Sequence, residues 1–219
     1  SRDGEEAQLL AALKACVLPE YLLVLIVPRH PQRFAEVYQQ AQVHGFVAEC
    51  WSKSPSITPQ TQILIGDSMG QMAAYYAAAD VVLMGGTFAD CGGQNLIEAC
   101  AVGLPVVLGP STYNFAQASQ WALAAGAAYQ VATMPAAVAV AVAIMQDAPR
   151  QQTMEHAAQQ FSLQHKGALN RMLGYLPDAA LLSNNNTLMM GVPAYLHFYL
   201  TRTGFKRTMG VLRFPWRNE

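Results

Sequence analysis

The stretch DVVLMGGTFADCGGQNLIEACAVGLPVVLGP, residues 80–110, decides how the rest of the chain is read. It parses as strand, glycine-rich loop, helix, strand. Residues 81–84 and 106–108 are short, uncharged and rich in β-branched side chains, the composition of parallel strands buried on both faces. Between them, Gly92 and Gly93 open a helical pattern with Leu96, Ile97 and Cys100 on its inner side. The pairs Gly85-Gly86 and Gly92-Gly93 let backbone approach a ligand where a side chain would collide, and the first amides of a helix point at an anion placed there. Asn95 and Glu98 stand three residues apart, on one face of that helix. A carboxylate one turn inside a loop-facing helix can accept hydrogen bonds from sugar hydroxyls. It can equally stabilise the helix start through the dipole, and spacing leaves both roles open.

The whole chain suits such a unit. Its 219 residues fit one large α/β domain or a domain with an appendage, and 53% hydrophobic against 12% charged residues excludes a disordered protein. A formal net charge of −1 gives no general attraction for nucleic acid or an anionic membrane, so any basic patch must be local. The four cysteines show neither CxxC spacing nor a secreted framework, so reduced thiols in a cytosolic protein are expected and a zinc site is not. The start, SRDGEE, has no signal-peptide pattern. Residues 99–146 carry no charge, but prolines, glycines and polar side chains interrupt them too often for a membrane helix.

Upstream, SRDGEE followed by AQLLAALKAC reads as a loop entering an amphipathic helix, with acidic residues in the first turn and Leu9, Leu10 and Leu13 inside. A loop of this kind normally follows a strand, so the chain is expected to begin within a larger protein. Residues 21–27 (YLLVLIV) form a buried strand that ends in PRHPQRF, presenting Arg29 and His30 just past its carboxyl end. In open parallel sheets that edge binds ligands. Arg29 can meet a phosphate or carboxylate bidentately, or be a solvated surface arginine. His30, between two prolines, either faces a ligand or caps the next helix, while Arg33 is expected to be solvated. A helix over 34–43 ended by Gly45, a short strand over 46–48, a loop over 51–61 and a strand over 62–65 follow. The last runs into GDSMGQM and a helix over 69–79, where the amides of Met69, Gly70 and Gln71 can bind a phosphate and Asp67 or Ser68 can cap.

Downstream, GPSTYNF lies beyond the strand 106–108, again at the carboxyl edge. A helix over 114–123, a strand over 127–131, a helix over 135–146 and a longer helix over 150–173 complete the pattern, with His156 and His165 on the surface. The tail, 181–219, interleaves aromatic with basic residues. That composition suits a membrane surface, a neighbouring domain, or packing on its own domain.

Strands alternate with helices and the glycine-rich loops share one edge, so the fold class is α/β, a doubly wound parallel sheet. Five segments in order, SRDGEE, PRHPQRF, IGDSMGQMAAYYAAADVVLMGG, GGQNLIEACAVGLPVVLGP and TYNF, resemble the C-terminal, donor-binding half of the bacterial 3-deoxy-D-manno-octulosonic acid (Kdo) transferases. The resemblance covers roughly residues 1–176. It implies a Rossmann-like C-terminal half of a glycosyltransferase B fold, and transfer of Kdo from CMP-Kdo to a lipid A precursor in lipopolysaccharide biosynthesis. It further implies that Arg29, with His30 beside it, contacts the donor phosphate or carboxylate, that Met69, Gly70, Gly85 and Gly86 form the nucleotide wall, and that Asn95 and Glu98 hold donor hydroxyls. Ser1 and Arg2 would lie near the phosphate. The family usually carries a basic residue before Gly92-Gly93 and a histidine after it; here Cys91 and Gln94 stand there.

A CMP leaving group can be stabilised by arginine and backbone amides without a metal, and the chain has no Asp-x-Asp pair, so no metal and no cofactor are expected. The catalytic base would be a glutamate of an N-terminal domain outside this chain, which leaves no catalytic residue within it. The expected organisation is a donor-binding domain over 1–177 and a basic-aromatic extension over 178–219. Its place would be the cytoplasmic face of the bacterial inner membrane, with CMP-Kdo and the lipid A precursor as partners and no nucleic acid. Two alternatives stay open: a nucleotide-sugar epimerase of related fold, which a test with UDP-N-acetylglucosamine would separate, and a non-catalytic nucleotide-binding module.

Overall fold

The computed structural model describes residues 4–53, 57–165 and 197–202. Its strands are β1 (Leu22–Ile26), β2 (Ala48–Cys50), β3 (Ile63–Ile65), β4 (Val81–Met84), β5 (Val106–Leu108), β6 (Ala128–Gln130) and β7 (His197–Arg202). They form one sheet in the order β2-β3-β1-β7-β4-β5-β6. The helices are α1 (Glu5–Ala15), α2 (Phe34–Val43), α3 (Met72–Ala78), α4 (Leu96–Ala101), α5 (Ala116–Ala124), α6 (Met134–Gln146) and α7 (Ala148–His165), with 3-10 turns at Pro31–Arg33 and Tyr113–Phe115.

Uncharged strands two side chains deep need cover on both faces, and the sheet receives it. Successive residues of β1 alternate between two cores: Leu22, Val24 and Ile26 join Leu9, Leu10, Leu13, Val138 and Ile144 on one face. Leu23, Leu25 and, one residue past the strand, Val27 join Tyr75, Leu96, Ala122 and Phe161 on the other. Parallel registers such as Val24↔Ile63, Val82↔Val106 and Val106↔Ala128 bring the carboxyl ends of β1, β3, β4 and β5 to one edge. The doubly wound α/β fold read from the sequence is present.

One strand departs from an all-parallel sheet. β7 comes from the expected extension, 178–219, and runs antiparallel to both neighbours, with Leu22↔Arg202 and Ile26↔Phe198 on one side and Val81↔Leu200 and Met84↔His197 on the other. The extension therefore contributes to the sheet of the first domain. The physical reason is that β1 and β4 each have an inner edge of backbone donors and acceptors to satisfy, and HFYLTR, rich in aromatic and β-branched residues, can pair with both.

Boundaries shift at the helix starts. The helix expected over 69–79 begins three residues later, at Met72, so Met69, Gly70 and Gln71 form a turn before it. Asn95 is the N-cap of α4 and not a residue of its face, because its Oδ1 accepts from the Ile97 amide at 3.2 Å. The short strand expected over 46–48 lies at Ala48–Cys50. Helix α7 is described to His165, and the rest of the range expected for it lies outside the described residues.

Candidate functional site at the carboxyl edge of the sheet

Two loops that leave β4 and β5 face each other across an open groove of about 600 Å³, lined by Thr87, Phe88, Ala89 and Asp90 on one side and Pro110, Ser111, Thr112 and Tyr113 on the other. They approach closely because residues without side chains stand at the crossings. A Cβ on Gly109 would lie 2.4 Å from the Thr87 carbonyl oxygen, and one on Gly92 would lie 2.5 Å from Asn114 Nδ2. Gly92 also holds φ +74, a left-handed conformation that side chains disfavour.

Hydrogen bonds knit the two walls together. The Thr87 hydroxyl accepts from the Gly109 amide at 2.8 Å and donates to the Met84 carbonyl. The Ser111 amide donates to the Thr87 carbonyl at 3.0 Å, and the Ser111 hydroxyl accepts from the Gly92 amide and donates to Asp90. Asn114 Nδ2 donates to the Cys91 carbonyl at 2.9 Å, while its own amide donates to the Gly92 carbonyl.

Behind the β4 loop stands Glu5, fully buried in the first turn of α1. Its Oε2 accepts from the Gly86 amide at 2.9 Å, and its Oε1 accepts from the amides of Phe88 and Ala89 at 3.0 and 3.2 Å. Neighbouring Glu6, also fully buried, pairs with Arg33 Nη1 at 3.2 Å. Burial pushes the Glu6 carboxyl above its ordinary range, and the Arg33 guanidinium opposes part of that shift. Arg33, expected to be solvated, is instead a structural cation shared by Glu6 and Glu36.

The expected site residues fall along this edge. Arg29 is half-buried at the exit of β1, and His30 is exposed beside it. The imidazole of His30 does not cap, but its carbonyl accepts from the Arg33 amide at 2.9 Å, closing the turn. With β7 between β1 and β4, two strand spacings, roughly 10 Å, separate the exits that carry Arg29 and the groove wall. Met69 and Gly70 are exposed at the exit of β3, one strand further out. Asp67 caps no helix: it accepts from the amide and hydroxyl of Ser52 and ties the β2 and β3 exits together. Gly85 and Gly86 are buried, the Gly86 amide donates to Glu5, and the residues that follow them, 87–90, line the groove. Asn95 Nδ2 donates to Glu98 Oε1 at 3.0 Å, so the two side chains are joined, both half-buried at the start of α4. Ser1 and Arg2 lie outside the described residues. Among the described residues no group of three or more His, Cys, Asp or Glu is placed to hold a metal, and no helix is long and apolar enough to cross a membrane.

Sequence reasoning passed over Glu5, Thr87, Asp90, Ser111 and Asn114 as site residues. Glu5 had a legible reading as a first-turn acid, but its partners lie more than 80 residues away, where no local period can point. Asn114 sits inside the segment TYNF, whereas Thr87 and Ser111 each stand one residue past the end of a matching segment, at Gly86 and Pro110.

An open groove over the carboxyl ends of a doubly wound sheet, walled by the loops that leave β4 and β5, is the architecture of a Rossmann-like domain, the form taken by one half of the glycosyltransferase B fold. A solved structure supports that class: the chain is similar to the C-terminal CMP-Kdo binding domain of WaaA from Acinetobacter baumannii, with a TM-score of 0.70, 28% identity, and 74% of this chain and 84% of that one covered. The 3-deoxy-D-manno-octulosonic acid transferase of Bordetella pertussis is 42% identical over 183 residues, covering 81% of this chain and 43% of the relative. That of Haemophilus influenzae is 30% identical over 179 residues, covering 80% and 42%. The chain belongs to the family of 3-deoxy-D-manno-octulosonic acid transferases, and it spans less than half the length of these two relatives. No protein-family model matches the chain.

Proposed function

We propose that this chain is the donor-binding half of a Kdo transferase. It takes CMP-Kdo at the carboxyl edge of the sheet, for transfer of the sugar to a lipid A precursor at the cytoplasmic face of the bacterial inner membrane. The observation that carries the reading is the groove between the β4 and β5 loops, in a chain whose structural neighbour is named for CMP-Kdo binding.

The chemistry asks for two things from this half. As an acceptor hydroxyl attacks the anomeric carbon, the bond from that carbon to the phosphate oxygen breaks and CMP departs with a developing negative charge. A guanidinium facing that oxygen stabilises the charge, and Arg29 is the candidate on this edge. The sugar must also be held in line, and Glu98 with Asn95 supplies acceptor and donor atoms at the start of α4. Removal of the acceptor proton falls to a base outside this chain.

Chemical-shift mapping with CMP tests the placement. Perturbed amides at residues 87–90 and 111–113 are expected. Perturbations confined elsewhere would overturn the groove as the donor site, and tighter binding of UDP-N-acetylglucosamine than of CMP would favour the epimerase reading.

A further inference from the structure

We propose that Glu5 is a positioning residue for the groove: its buried carboxylate fixes the loop 86–89 and thereby sets ligand affinity. The proposal rests on the groove being the donor site, but its structural half is separately testable.

A glycine-containing loop leaving a strand has many conformations, and ordering it costs about 1–2 kcal/mol per residue of backbone entropy. Something must hold it. On the β5 side Thr87 does so through neutral hydrogen bonds. On the other side the holder is a charge: both oxygens of Glu5 accept backbone amides, at Gly86, Phe88 and Ala89, and bonds to an ionised acceptor are about twice as strong as neutral ones. Phe88 and Ala89 themselves line the groove. Their amides point at Glu5 and are therefore engaged away from a ligand. Glu5 reaches this place from the first turn of α1, which packs on α6 and α2. The groove wall is thus tied, through one side chain, to a helix more than 80 residues earlier in the sequence.

Glu6 supplies the control. It is the next residue, in the same turn and equally buried, yet it faces Arg33 and makes none of the loop contacts. Glu5→Gln keeps the side chain's shape but removes its charge. Relative to Glu6→Gln, it is expected to weaken CMP binding by about tenfold, to move the amide resonances of Gly86, Phe88 and Ala89, and to speed their hydrogen exchange. Equal CMP affinity in the wild type and Glu5→Gln would overturn the proposal. So would tighter binding, which would mean that Glu5 competes with the ligand for those amides. Should Glu5→Gln not fold, Glu5→Asp, which keeps the charge but withdraws it by one methylene, enters the same comparison with the same outcomes. If the wild type binds no CMP, the donor reading fails, and the amide exchange alone decides whether Glu5 fixes the loop.

Discussion

Replacing Gly109 by alanine probes the joint between the two groove walls. The added Cβ would lie 2.4 Å from the Thr87 carbonyl oxygen, 2.7 Å from its carbonyl carbon and 2.8 Å from Phe88 Cδ1. The nearest two atoms are backbone, anchored by the Ser111 amide at 3.0 Å and by the Glu5 contacts at the next two residues. They cannot rotate away as a side chain would. Ordinary contact requires the two loops to part by roughly 1 Å, an overpacking strain worth about 1–3 kcal/mol. The parting also breaks the buried bond from the Gly109 amide to the Thr87 hydroxyl, a further loss of about 1 kcal/mol. The expected destabilisation is therefore about 2–4 kcal/mol, and for a chain of this size a fall in Tm of about 5–15 °C. Urea unfolding should show the lower midpoint with an unchanged slope. A variant within about 0.5 kcal/mol of the wild type would refute the reasoning, since the loops would then part freely and nothing at 109 would demand glycine.

Three further outcomes follow from the same geometry. Arg33→Ala removes the partner of a fully buried carboxylate and should cost about 3 kcal/mol at pH 8. The Glu6 pKa is raised in the folded protein by burial, so protonation favours the native state. The deficit should shrink as pH falls from 8 towards the raised value, and a deficit that stays constant as the solution is acidified would contradict this. Among the thiols, burial pushes Cys100 up to about 12, which lowers its thiolate fraction about a thousandfold against an ordinary cysteine. A thiol reagent at pH 8 should modify half-buried Cys16 and Cys91 first, as mass spectrometry of the adducts would show; early modification of Cys100 in folded protein would speak against its burial. Glu98→Ala should weaken binding of the intact donor by about 1.5–3 kcal/mol while leaving α4 capped through Asn95 Oδ1. Unchanged affinity, measured calorimetrically, would restrict Glu98 to its contact with Asn95.

The parts of the fold legible in the sequence are those set by local period. Uncharged runs such as 81–84 and 106–108 mark strands of those bounds, and Leu9, Leu10 and Leu13 fall on the inner side of α1. Helix starts were less legible because glycine loosens them: a turn at Met69–Gln71 reads like the first turn of α3 until backbone hydrogen bonds are counted. β7 was not legible at all. A strand from beyond residue 178 pairs in mid-sheet through backbone groups that every sequence carries, so only the open edges of β1 and β4 select it. The site divides in the same way. The glycine loops and the edge they occupy were readable from motif order, while Glu5, Thr87 and the Arg33–Glu6 pair depend on contacts between distant elements.

Calorimetric titration of the chain with CMP-Kdo, or with a stable analogue of it, tests the central claim most directly, with UDP-N-acetylglucosamine as the comparison. Saturable one-to-one binding of the Kdo donor is expected, weakened by Arg29→Lys because an ammonium cannot reproduce the bidentate contact of a guanidinium. UDP-N-acetylglucosamine should bind far less. No heat of binding with the Kdo donor, or preference for the UDP-sugar, would contradict it.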